Sequence, residues 1–139
     1  MSWLDEISNF LEDYSGVHPD NPNIDIWGDM GVVGDDFHEM MENYSKQYDV
    51  DLSGYLWYFH TDEEGTNFGG LFSKPPYQRV KRIAVTPKML ADFIQTKKWV
   101  VNYPPHEIPK KRIDLTINLL VLVVTLAGII IWILNKYVF

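Results

Sequence analysis

Trp3, Leu4, Ile7, Phe10, Leu11 and Tyr14 recur at three- and four-residue spacing, with Asp5, Glu6, Glu12 and Asp13 lying off that face. This period predicts an amphipathic helix over Ser2 to Tyr14, with Ser2 as its N-cap. Phe37, Met40, Met41, Tyr44 and Tyr48 repeat the pattern and predict a second helix from about Asp35 to Tyr48. Met89, Leu90, Phe93 and Ile94 predict a third. It is opened by Thr86-Pro87, a threonine cap followed by a proline at the first helical position, and Lys97 and Lys98 suit its negative end.

Between the first two helices runs GVHPDNPNIDIWGDMG, a loop that Ile24, Ile26, Trp27, Met30 and Val32 should tack onto the core. Val50 and Leu52 alternate with Asp49 and Asp51 in a short extended exit. Tyr55 to Phe59 is dense in aromatics, and its period fits a short helix or a strand equally. His60 to Gly70 and Ser73 to Tyr77 read as turns and loop, the latter around Pro75-Pro76. No internal repeat is visible, and the expected class is all-α.

The last apolar pattern is of another kind. From Leu115 to Asn135 the chain has 21 residues without a charge. As a helix they rise roughly 30 Å, the thickness of a bilayer's hydrocarbon core. A chain of 139 residues has no core large enough to bury such a helix. We expect residues 1–98 to form a helical domain, residues 99–112 a proline-containing basic linker, and residues 113–137 a transmembrane helix.

Lys110, Lys111 and Arg112 precede the span, whereas Lys136 alone follows it. Positive flanks stay on the cytoplasmic side, which predicts a single-pass membrane protein with its N-terminal domain in the cytoplasm. Trp132 and Tyr137 fall at the far headgroup boundary. Met1 to Leu11 holds Asp5 and Glu6 and no basic residue, unlike a secretory signal.

Charge sharpens the division. Residues 1–70 hold sixteen Asp and Glu and one basic residue, Lys46, whereas residues 71–112 hold ten Lys and Arg against Asp92 and Glu107. The acidic half repels anionic lipid and the basic stretch can lie on it. No nucleic acid is expected as a partner of a chain whose net charge is −7.

Chemistry is sparse. There is no cysteine, so thiol nucleophiles, disulfides and thiolate metal sites are excluded. The four histidines lack metal-ligand spacing. Gly65, Gly69 and Gly70 lack the lysine and helix of a phosphate loop, and there is no G-x-S-x-G. Asp25, Asp29, Asp35 and Asp36 concentrate carboxylates without fitting an EF-hand. No catalytic residue, no metal and no cofactor are expected, and the chain is not expected to be an enzyme.

The order of elements, with Asp29-x-Gly31 ahead of an acidic helix, resembles the acyl carrier protein fold over roughly residues 2–96. More closely it is similar to a bacterial family of carrier-like domains of unknown function (domain-of-unknown-function family 1493), a resemblance that implies the inner membrane of a bacterium for the expected span. The matching residues are Asp29, Gly31, Gly34, Asp35, Asp36, Val50 to Gly54, Tyr58, Phe59, Thr86, Pro87, Leu90, Ala91, Ile94 and Trp99.

In carriers, the resemblance implies, a serine ahead of the second helix accepts 4′-phosphopantetheine. Gly34 occupies that position, and Ser53 follows the helix instead of preceding it. The carried-over function is therefore a membrane-tethered adaptor without the prosthetic group. Its acidic helix (Asp35, Asp36, Glu39 and Glu42) would dock an unidentified protein with a basic patch. Of Asp35 and Asp36, one is expected to cap the helix and one to face the partner.

Two alternatives use the same residues differently. An unconventional membrane-bound acyl or lipid carrier would yield a stoichiometric acyl species on organic extraction. A regulatory or immunity subunit of an inner-membrane complex would lose function when its span is exchanged for an unrelated one.

Overall fold

The computed structural model describes residues 2–138. Four α-helices run in chain order: α1 (Trp3–Ser15), α2 (Gly34–Tyr48), α3 (Pro87–Thr96) and α4 (Ile113–Tyr137). Short 3-10 helices at Trp57–Phe59, Phe68–Leu71 and Pro76–Gln78 fill the connection between α2 and α3. Among the described residues there is no strand, only a single bridge between Asp51 and Lys98, and the class is all-α.

The helix ends follow from local chemistry. Ser2 accepts from the Asp5 amide and Asp5 returns the bond to Ser2, a reciprocal cap at the start of α1. Gly16 closes α1 in the left-handed conformation, at φ 69°. Thr86 accepts from the Met89 amide at 3.2 Å to open α3. Lys97 ends α3 with φ 55°, one residue before the expected lysine pair could complete its last turn. Its ammonium instead donates to the Tyr48 carbonyl at 2.6 Å, so the cation serves the C-terminus of α2.

The apolar faces of α1, α2 and α3 meet in one core. Ile7, Leu11, Phe37, Met40, Tyr44 and Leu90 are fully buried there. Tyr44 satisfies its hydroxyl by donating to the Leu90 carbonyl at 2.7 Å, which ties α2 to α3. The long loop between α1 and α2 is held as its apolar residues predict: Ile26 and Val32 are buried, and the Ile26 amide donates to Val85. The aromatic segment forms the 3-10 helix Trp57–Phe59 and sends Phe59 fully inward.

The stretch expected as a linker, residues 99–112, has almost no regular structure but packs along the domain. Trp99 is buried in the core. Tyr103 accepts from the Trp99 indole N–H at 2.9 Å and from the Leu56 amide at 3.2 Å, and its ring packs on Phe59. These bonds seal a buried histidine. His60 Nδ1 lies 2.9 Å from the Ile83 carbonyl, which can only accept, so Nδ1 carries the proton. Its Nε2 then accepts from the Tyr103 hydroxyl at 2.8 Å.

α4 has 25 residues and leaves its apolar side chains exposed; by length and composition it is able to cross a membrane. It is not a free tail. Its first two turns pack on the 3-10 helix Phe68–Leu71.

Candidate functional site

The start of α2 is built by a residue far from it in sequence. Gly34 begins the helix with φ 53°, a left-handed backbone that suits glycine. The Gly34 amide donates to Asp62 Oδ1 at 3.1 Å, and the Trp27 indole donates to the same oxygen at 3.3 Å. His38 Nε2 donates to the Asp62 carbonyl at 3.3 Å. A Cβ on Gly34 would run into the side chain of Glu64. The 62–64 segment therefore lies over the helix start.

Asp62 corrects the expected division of labour between Asp35 and Asp36. Neither makes a side-chain cap, and the N-cap position belongs to Val33, which has no capping oxygen. The carboxylate at the positive end of α2 comes from Asp62 because the 62–64 segment folds back onto that turn. Asp35 and Asp36 are both exposed.

Asp35, Glu39 and Glu42 follow each other at spacings of four and three, which places them on one stripe of α2. Asp36 lies about a quarter turn away. Glu42 pairs with Lys46 at 2.6 Å, one turn further on. This hydrogen bond and the ammonium's charge hold the Glu42 carboxyl below its usual range. The four residues do not converge on one hollow. Asp35 borders a cleft of about 420 Å³ together with His38, Glu63, Glu64, Leu115 and Asn118. Glu39 borders a shallower groove on the α1 side with Asp13, Asn43 and Lys46.

The remaining carboxylates of the DIWGDMGVVGDD stretch have separate partners. Asp25 accepts from both terminal nitrogens of Arg82, at 3.1 and 2.5 Å, and Arg82 lies 4.5 Å over the Trp27 ring. Burial pushes the Asp25 carboxyl up. Hydrogen bonds from Arg82 and from the Gly28 and Trp27 amides outweigh it, and the group ends lowered. Asp29 accepts from the Asp25 amide. No three His, Asp or Glu side chains gather to hold a metal among the described residues.

The far wall of the Asp35 cleft is the junction with α4. Arg112, grouped with Lys110 and Lys111 as membrane-flanking, makes a fork to Glu63 (2.9 and 2.8 Å) and reaches Asp114 at 2.9 and 2.6 Å. Bonds to Asp114 and Glu63 push its guanidinium pKa up, so it stays charged. Asp114, 1% exposed, also accepts from Asn67, and Asn118 bridges by donating to Asn67 and accepting from the Gly69 amide at 2.8 Å. A Cβ on Gly69 would collide with the Asp114 carbonyl, so glycine here permits the close approach of α4. Lys110 and Lys111 remain exposed.

A family profile described as "Protein of unknown function (DUF1493)" matches residues 5–104. The chain belongs to this family. No curated protein and no solved structure matches it. The DUF1493 match takes in Trp99 and Tyr103, in keeping with their place in the domain's packing, and ends before α4.

Asp62, Glu63, Asn67, Asp114 and Asn118 were not singled out by sequence reasoning. One signal was present: Asp114 and Asn118 stand four apart at the head of an otherwise apolar helix, on one face. Polar groups there need partners, and the 63–69 segment supplies them.

Proposed function

We propose that this chain is a non-catalytic adaptor with a carrier-like helical domain, tethered by α4 to the inner membrane of a bacterium. The domain faces the cytoplasm and holds a protein with a basic patch through Asp35, Asp36, Glu39 and Glu42. The observation that carries this reading is Gly34. Its left-handed backbone disfavours a side chain, the Glu64 side chain fills the space that a Cβ would take, and the acids beside it stay turned to water. Without a hydroxyl no phosphodiester to phosphopantetheine can form there, and what the domain keeps is a carrier's acidic helix.

The carrier likeness is supported by the order of elements, three helices with short ones between α2 and α3. The membrane tether is supported by the length and composition of α4, and the orientation by exposed Lys110 and Lys111 at its head.

The test is charge reversal in the full chain, Glu39→Lys with Glu42→Lys, expressed in its native membrane. Both side chains are exposed, so helical circular dichroism should be unchanged, while a partner cross-linked to the wild-type chain should lose several-fold in yield. Undiminished cross-linking would refute docking through this helix. The intact mass of the purified chain provides a second check, and a covalent addition of phosphopantetheine size would make it a carrier after all.

A further inference from the structure

We propose that the turn Phe68–Phe72 is a second membrane-contacting element, one that inserts into the headgroup–acyl boundary beside α4 and fixes the domain against the bilayer. This rests on the reading of α4 as a membrane span.

The turn exposes three large apolar side chains in five residues: Phe68 is 56% exposed, Leu71 82% and Phe72 79%. A water-facing turn has no use for such a cluster. Its level on the membrane helix is fixed by three hydrogen bonds. Gly69 donates to Asn118, Asn118 donates to Asn67, and Asn67 donates to Asp114. The turn therefore lies beside the first two turns of α4, at Asp114 to Asn118. The uncharged run from Leu115 to Asn135 rises roughly 30 Å, one hydrocarbon thickness. When that length occupies the bilayer core, Asp114 stands at its near edge and Asn118 one turn inside, and the side chains beside them lie at that depth.

Charge fits the same placement. Lys74, Arg79 and Lys111 border one hollow next to Asp114, which sets a basic rim behind the apolar tip. Aromatic and aliphatic residues at the boundary with cations just outside it match a bilayer whose near leaflet is anionic. The polar bonds of the junction serve this arrangement: they hold the tip rigidly at depth, and they satisfy Asn118 where water becomes scarce.

The chain has no cysteine, so single labels can be placed cleanly. Leu71→Cys and, separately, Leu122→Cys would carry an environment-sensitive fluorophore in the full chain. Each is reconstituted in phosphatidylcholine–phosphatidylglycerol vesicles with nitroxide lipids labelled near the headgroup or near the chain end. Both positions are exposed in the folded chain, so the labels leave its packing intact. Expected is several-fold stronger quenching at position 71 by the shallow nitroxide than by aqueous iodide, and quenching at position 122 by the lipid nitroxides but not by iodide. If position 122 is quenched but position 71 answers only to iodide, the tip stands in water and the proposal falls while the span survives. If position 71 is shielded from both quenchers, a protein covers the tip, and the proposal falls to that alternative. If position 122 is not quenched by lipid, the span itself is wrong, and the insertion falls with it.

Discussion

Gly34 carries a conformational demand and a steric one at the same atom. Its positive φ disfavours any side chain, and the space a Cβ would take belongs to Glu64. Gly34→Ser is expected to cost about 1–2 kcal/mol, chiefly for the left-handed backbone. The exposed Glu64 side chain can swing aside, so adding Glu64→Ala should recover only a part of the loss. Urea denaturation of the full chain in detergent measures both, and an unchanged midpoint for Gly34→Ser would show that the turn relaxes freely. The absence of the serine was legible in the sequence. That the position also disfavours a side chain was not, because Glu64 lies thirty residues away.

At the scale of elements, α1 and α3 were readable nearly to the residue, since each carries its period and its capping oxygen within three positions. α2 was readable in extent but not in its cap, which a distant segment contributes. α4 was readable as an apolar helix long enough for a bilayer and unreadable as a packed element, because its docking uses Asp114 and Asn118 against a turn nearly fifty residues earlier. Asp114→Ala leaves Arg112 with Glu63 alone and removes the acceptor of the Asn67 amide. Hydrogen exchange should rise at residues 67–72 and 112–118 and stay unchanged in α1 and α3, which share no partner with the junction. Equal exchange in the variant and the wild type would mean that Asp114 does not hold the two together.

Across the whole molecule, His60 links the aromatic segment, the approach to α3 and the stretch 99–103, so its titration reports on the domain. Burial lowers its pKa from 6.5 to about 4, only partly offset by the bond to Ile83, and Arg82 lowers it further. The unfolded chain therefore binds a proton between those values while the folded chain does not. Stability is full above about pH 6.5, declines as pH falls through the window, and is lost by at most about 3 kcal/mol near pH 4. His60→Gln should be less stable at pH 7 and show a flatter slope than wild type between pH 4 and 6.5. Because Asp and Glu titrate in both chains, the difference between the two slopes isolates His60, and parallel slopes would contradict its burial as the neutral form.

The sequence by itself determined the all-α class, the buried faces of α1 to α3, the caps of α1 and α3, and an apolar helix long enough for a bilayer. Each is encoded by residues three or four positions apart, where helical geometry alone decides which side chains meet. Only the tertiary structure decided that Asp62 serves the start of α2, that Tyr103 seals His60, and that α4 is locked to the 67–69 turn. Those contacts join residues 28 to 51 positions apart. No local period specifies such pairs, because they form only once the core has brought the segments together, and buried polar groups then take the partners that lie within reach.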